Sequence, residues 1–439
     1  MLLVPILFGL LIACGLFIKL EQNWQAGILV GAILWGVAIV FIAEGLGILG
    51  QFSRNFVLCA WIILDIVLAI IWLYRINKTK NLFNFSQLRL PSELGLISRL
   101  LLGLIFFIAL LTSITALVAP PNNWDSMTYH MSRVMHWLHN SRLDHYPTHY
   151  TPQLYHPPWA EMAIAHLQVL TGGDHWANFV QWLSMIGSII GVSAIARELG
   201  ASRRGQLFAT VFAISLPMGL LQSVTTQNDY AVCFWLVCLA YFVLRINHNK
   251  LTLPLTLKVS ASLGLALLTK TSAYIFSLPF LAWLAVRVIY QMGWQSWQTG
   301  FILIISVLLI NAGHWFRNWE VFGSPITGGP KELAVQYRME DPNIATLLSN
   351  MVRNAAIHLS TPSRWLNAKL NGAIISFHKL IGIASNSPQT TIPGGKFGIF
   401  QVSFKEDLAG NTFHFLTILA TIGAFFTISR LRRIRTAWL

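Results

Sequence analysis

The chain has 439 residues, of which 55% are hydrophobic and only 10% charged, and its mean hydropathy is +0.60. Soluble domains carry about 25% charged residues, so the composition argues against a water-soluble protein and for an all-α polytopic membrane protein with no separate soluble domain. The formal net charge of +14 does not indicate nucleic acid, because the basic residues collect in short loops between apolar runs, as the positive-inside rule describes, and form no groove-lining stripe.

About 20 apolar residues are needed for a helix to cross the bilayer, and spans are predicted in chain order at 2–18, 26–49, 56–74, 100–119, 176–196, 207–221, 230–244, 255–268, 273–286, 301–312 and 413–428. The first run has no charged segment before it and no small-residue cleavage site after it, so it is read as a span and not as a signal peptide. Cys14, Cys59, Cys233 and Cys238 all lie in these apolar runs, which argues against a disulfide framework and a cysteine metal site. Residues 1–99 form N-terminal spans with a loop, 100–316 a membrane core, 317–411 a long loop, and 412–439 a last span with a basic tail.

Every second connection is basic. Arg75, Lys78, Lys80, Arg89 and Arg99 precede the fourth span; Arg197, Arg203 and Arg204 follow the fifth, Arg245 and Lys250 the seventh, Arg287 the ninth, and Arg430, Arg432, Arg433 and Arg435 the last. The charge rule makes these loops cytoplasmic. The loops at 120–175, 225–229, 270–272 and 317–411 then lie on the extracytoplasmic face of a plasma (inner) membrane. In the last of these, apolar residues at 366, 370, 373, 374, 377, 380 and 381 follow helical spacing, which predicts an interfacial helix over 366–383.

Segment 122–175 differs from the rest of the chain. It holds eight of the 13 histidines, at 130, 136, 139, 145, 149, 156, 166 and 175. Polar groups near lipid are costly and mark function, so this segment is the expected active-site loop. From Asp125 a helix is predicted with Met127, Met131, Val134 and Leu138 on an apolar stripe, and Asp125, Tyr129, Arg133, His136 and Asn140 on a polar one. A helix N-cap is the competing role for Asp125, as it is for Asp229. His156 precedes Pro157-Pro158, which restricts it to an extended backbone.

These features resemble the GT-C membrane glycosyltransferases, in particular the protein mannosyltransferase, lipid A aminoarabinose transferase and RgtA-like group. The matching residues are Asp125 at the start of an outer helix, Tyr155-His156-Pro157-Pro158, Pro217, Thr226-Gln227-Asn228-Asp229, and Lys270-Thr271, within roughly residues 100–312. The resemblance implies a GT-C-like bundle, here of about 11 transmembrane helices with extracytoplasmic amphipathic helices, an inverting reaction and a polyprenyl-phosphate-linked sugar donor. Many relatives carry Asp-Glu where this chain has Asp125-Ser126, and some carry an acid where it has Tyr155. Relatives often continue with further spans past the point where this chain stops, so a C-terminally incomplete member is expected.

The residues fit such chemistry in their own right. Displacing a lipid phosphate from an anomeric carbon needs a base for the acceptor hydroxyl and cations for the leaving phosphate, and one carboxylate suffices, unlike glycoside hydrolysis. Asp125 is the expected base. Asp229 is expected to hold the acceptor or orient donor hydroxyls, with Tyr129 on the same face as Asp125. Arg133, Lys270 and Arg317 are candidate phosphate partners, and His156 is a candidate donor to the phosphate. Gly328-Gly329-Pro330-Lys331 and Pro393-Gly394-Gly395-Lys396 are candidate phosphate nests, with ordinary turns as the simpler reading. No cofactor is fixed by the sequence. A divalent metal stays open because His136-x2-His139 and His145-x3-His149 have ligand spacings. The partners implied are the lipid-linked sugar, a lipid, glycan or protein acceptor, and the membrane. The competing class is a multi-pass transporter or flippase, for which Glu44, Asp65 and Lys258 within or near spans are the marks.

Overall fold

The computed structural model describes residues 3–21, 23–79, 95–246, 251–328, 343–387, 397–399, 402–406 and 408–428. The described residues are helical, with no strand among them. Among the described residues, five helical stretches are long and apolar enough to cross a membrane: Trp24–Ile48, Arg54–Arg75, Leu96–Val118, Phe179–Glu198 and Ala273–Phe322. Shorter apolar helices at Val4–Ile18, Leu253–Leu267 and Thr412–Thr427 accompany them. This is a polytopic helical membrane protein. The chain divides into two compact units, Met1–Ile214 with Gln222–Gly329, and Ser215–Leu221 with Pro330–Leu439.

The first unit begins with α1 (Val4–Glu21), α2 (Trp24–Ile48), α3 (Arg54–Thr79) and α4 (Leu96–Val118). Between α4 and the next long helix lie a π-turn (Ser126–His130), α5 (Met131–Asn140), the single turn α6 (Pro152–Tyr155) and α7 (Trp159–Thr171). Then come α8 (Phe179–Glu198), α9 (Arg203–Ile214), α11 (Asp229–Arg245), α12 (Leu253–Leu267), α13 (Ala273–Met292) and α14 (Ser296–Phe322), while α10 (Pro217–Gln222), which follows α9 in the chain, belongs to the second unit but for Gln222. The predicted span 207–221 is thus interrupted. Proline at 217 supplies no backbone N–H and starts a new helix, the position it tolerates best. The predicted span 301–312 is the middle of the 27-residue α14.

Between helices in lipid, small residues let backbones approach where apolar burial gives little driving force. Two Gly-xxx-Gly pairs do this here. A methyl group on Gly27 or Gly31 of α2 would collide with the backbone of Ile18 or Cys14 in α1. One on Gly187 or Gly191 of α8 would strike Phe234 or Val237 of α11. Gly36 of α2 serves α7: its carbonyl accepts from Trp159 Nε1 at 3.1 Å, and the indole stacks edge-on against Trp235 at 4.9 Å. Burial of Trp159 and Trp235 in the core therefore anchors the loop helix α7 between two long helices.

Two acidic residues at span ends, Glu21 and Glu44, are paired, whereas Asp65 of α3 is buried with its Oδ1 unpartnered. Glu21 binds Arg245 (2.6 Å) and Lys258, while Glu44 takes both Nη atoms of Arg317 (2.7 and 2.8 Å). Each of these pairs, like Lys270–Asp229 below, joins residues that the charge rule assigns to one membrane face. Two of the three transporter marks, Glu44 and Lys258, are thus ion-pair partners.

The second unit contains α15 (Ile344–Ile357), α16 (Arg364–Leu380) and α17 (Thr412–Thr427). The helix predicted at 366–383 is α16. Its Asn367 and His378 are buried and Ser349 of α15 meets His378 at 2.9 Å, whereas Trp365 and Leu380 are exposed. Polar groups inside and apolar groups outside suit a helix lying against lipid. The candidate nests at 328–331 and 393–396 lie, apart from Gly328, outside the described residues, as does the Arg430–Arg435 cluster.

Candidate functional site

Three chain segments meet at the C-terminal end of α12. The N–H of Trp159, which opens α7 immediately after Pro157-Pro158, donates to Leu268 O at 2.8 Å. Asn228, which precedes α11, donates through Nδ2 to Thr269 O at 3.0 Å. These bonds set α11 in register with α12, so that Asp229 in the first turn of α11 binds Lys270 Nζ at 2.7 Å. The competing N-cap role for Asp229 does not apply, since Asn228 holds the cap position and Asp229 pairs with the lysine. The pair is open: Lys270 is 36% exposed and Asp229 44%.

Asp125 reaches this place through a local irregularity. Its helix opens with a π-turn over Ser126–His130, a feature frequent at functional sites. The cap of that turn is Asn123, whose Oδ1 accepts Ser126 N–H at 2.7 Å, and Asp125 makes no capping bond. Its carboxylate instead lies close enough to the Tyr129 phenol to disfavour the phenolate. Burial first, and then the charges of Asp125, Glu161 and Asp229, push the Tyr129 phenol far above its usual range, so it stays a donor. The Tyr129 ring lies 5.2 Å from that of His156. Burial lowers His156 to about 3, helped by the charges of Arg133, His130 and Lys270 against that of Glu161, which leaves a neutral imidazole able to offer one N–H. Asp125, Tyr129, His156, Asp229 and Lys270 thus form one constellation.

Arg133 and Arg317 are placed differently from expectation. Arg133 is 1% exposed, and its guanidinium is directed at protein acceptors: Nε to Gln153 O, Nη2 to Pro152 O at 3.1 Å, and Nη1 to Glu161 Oε1 at 3.1 Å. The π-turn explains part of this. A 3.6-residue stripe places Arg133 on the face of Asp125, but the wider turn shifts every later residue around the axis, burying Met131, Arg133 and Val134 while His136 is exposed. Arg317 is held by both oxygens of Glu44, in a space that requires Gly313, where a Cβ would meet that carboxylate.

Glu161 is the residue that spacing arguments passed over. It is fully buried on α7, and its Oε1 also meets His130 Nδ1 at 3.0 Å. Burial alone would raise its pKa, but the charges of Arg133 and His130 and the His130 hydrogen bond lower it, so it is held as the carboxylate. The available signal was its position, one turn after Pro-Pro as the sole glutamate of the loop.

A second hub lies beside the first. Asn318 of α14 donates to Tyr155 O at 3.2 Å and meets His145 Nε2 at 2.9 Å. His136 stacks on Tyr146 at 3.8 Å between centroids. Among the described residues no group of three or more His, Cys, Asp or Glu side chains is placed to hold a metal.

No curated protein and no solved structure matches the chain. Residues 155–315, from Tyr155 of the Pro-Pro motif to Trp315 of α14, match the family model for dolichyl-phosphate-mannose-protein mannosyltransferase, so this part of the chain carries the pattern of a GT-C-type membrane glycosyltransferase.

Proposed function

We propose that the protein is an inverting glycosyltransferase that moves a sugar from a polyprenyl-phosphate donor to a lipid, glycan or protein acceptor, with Asp125 as general base. The observation that carries this reading is the meeting around Tyr129 of two carboxylates, Asp125 and Asp229, with His156 and the Lys270 cation behind it. Asp125 takes the proton of the acceptor hydroxyl, whose oxygen forms the new bond to the anomeric carbon as the bond to the lipid phosphate breaks. Lys270 and the neutral His156 N–H receive charge on the departing phosphate. Asp229 holds Lys270 in place and is free on its exposed side to accept from a sugar or acceptor hydroxyl. Tyr129 fixes the Asp125 carboxylate. Arg133 and Arg317 support the fold of the site and do not contact the donor. Asp125, Tyr129, Arg133 and Arg317 lie outside the matched residues, so the match does not bear on their assignments.

The test is transfer of sugar from a synthetic polyprenyl-phosphate donor by purified Asp125→Asn beside wild type. The amide is nearly isosteric and cannot take the proton, so transfer should fall by roughly three orders of magnitude or more. Wild-type turnover in that variant would remove Asp125 as base. Solute flux in proteoliposomes without any transfer would move the protein to the transporter class. The site is proposed to face away from the cytoplasm of an inner membrane. A single cysteine replacing the exposed His139 in a cysteine-free background should then react with an impermeant thiol reagent in intact cells, and protection until lysis would reverse the orientation.

A further inference from the structure

The residues around Arg133 do more than fill a core. Its guanidinium joins three pieces of chain: α5, on which it sits, the turn α6 through the carbonyls of Pro152 and Gln153, and α7 through Glu161. Gln153 closes the circuit. Its Nε2 donates to Thr128 O, inside the π-turn, at 2.7 Å, and its Oε1 accepts from Tyr146 (3.2 Å) and Thr148 (3.0 Å). From Glu161 the contacts also run outward, through His130 at 3.0 Å to the Tyr129 ring (4.1 Å between centroids) and on to His156.

We infer that Arg133, Gln153 and Glu161 form a clamp that fixes the π-turn carrying Asp125 and Tyr129 against the turn carrying His156, and that these three are positioning residues for sugar transfer. The inference rests on the transferase reading of the Asp125–Lys270 site. Its logic is geometric. Asp125 and His156 are 31 residues apart on irregular backbone, and no regular ladder of hydrogen bonds fixes one against the other. The clamp supplies that register from both sides, with the guanidinium on α6 and the Gln153 amide on the π-turn. Arg133 and Glu161, at 1% and 0% exposure, cannot touch a substrate. Their opposite charges pair inside the clamp, as buried ions require, through Glu161 Oε1, while Oε2 is buried without a hydrogen-bond partner.

The decisive variant is Gln153→Ala, because it cuts the link between the two turns without leaving a buried charge alone. Hydrogen exchange of purified full-length protein is followed in peptides covering 122–134 and 150–158, with α11 as the reference. Both windows should exchange about tenfold faster, as expected when a local opening loses one charge-neutral bond, while α11 changes less than twofold. In the sugar-transfer assay kcat should fall about tenfold, with KM for the donor within twofold, since misplacing groups by a fraction of an ångström affects the transition state more than ground-state binding. Glu161→Gln should loosen the same two windows. If that variant does not fold, Gln153→Ala alone decides. Loosening confined to 150–158, unchanged kcat with both windows loosened, or a loss of activity that merely follows the loss of folded protein would each overturn the clamp as a positioning device. Absence of transfer in wild type would instead overturn the transferase reading, and the paired exchange would still decide whether the two turns are held together.

Discussion

Arg133 and Lys270 are both cations within one site, and each is paired with a carboxylate, yet their surroundings set opposite roles. Arg133 is closed in: its Nε and both Nη atoms donate to the protein, and its partner Glu161 has no exposure. Lys270 has one carboxylate partner, and both members of that pair are more than a third exposed. A buried cation that donates to the protein through all three of its nitrogens cannot serve a ligand without breaking what it holds together. One that keeps ammonium protons facing outward can exchange or share its partner when a phosphate arrives. Burial, more than the identity of the residue, separates the enclosed cation from the available one here.

The largest effect expected from this contrast is on stability. Arg133→Ala should cost about 3–5 kcal/mol, because it strands the Glu161 charge in the interior, and that is a large share of the roughly 5–15 kcal/mol typical of a folded protein. The thermal midpoint in detergent reports it, and a midpoint near wild type would show that Arg133 is not the closed partner described above. Lys270→Ala should do the reverse. The exposed pair contributes at most about 1 kcal/mol to folding, so the midpoint should barely move, while kcat/KM should fall on the order of a hundredfold from the lost charge on the leaving phosphate. Equal losses of stability and activity would merge the two classes.

Arg317 sharpens the comparison further. Its bidentate pair with Glu44 is mostly buried, so Arg317→Ala should lower stability by about 1–3 kcal/mol, the scale of hydrogen bonds to charged groups, with donor affinity within twofold of wild type. A loss of donor binding without a loss of stability would return Arg317 to the list of phosphate partners.

The smallest effect concerns pH. Burial lowers His145 to about 4, His156 to about 3 and His166 to about 4, from an ordinary value of 6.5. With the folded value below the unfolded one, the unfolded chain binds protons first as pH drops. The stability owed to neutral histidines is therefore complete above about pH 6.5 and is lost on descent toward 3–4. The fully buried His166 alone should cost on the order of 1 kcal/mol at pH 5.5. Midpoints measured from pH 7.5 to 5 should fall, and His166→Gln should flatten the slope. An equal slope in that variant would contradict the assignment.

Much of this was legible in the residues. The apolar composition and the long runs determined a helical membrane protein, because a chain with so few charges must satisfy its backbone within helices once water is excluded. The histidine-rich segment between two spans pointed to a candidate site, and motif order named Asp125, Tyr129, His156, Asp229 and Lys270 as its candidate members. The Gly27-xxx-Gly31 and Gly187-xxx-Gly191 pairs were equally open to reading as helix contacts. Spacing could not tell which basic residues stay available. The partners that close Arg133 and Arg317, Glu161 and Glu44, lie 28 and 273 residues away, and no local period links them. Nor could a 3.6-residue pattern foresee the π-turn at Ser126–His130, which rotates all of α5 relative to Asp125. An ion pair depends on two distant backbones bringing their charged side-chain atoms within about 3 Å of one another, and only tertiary packing sets that distance.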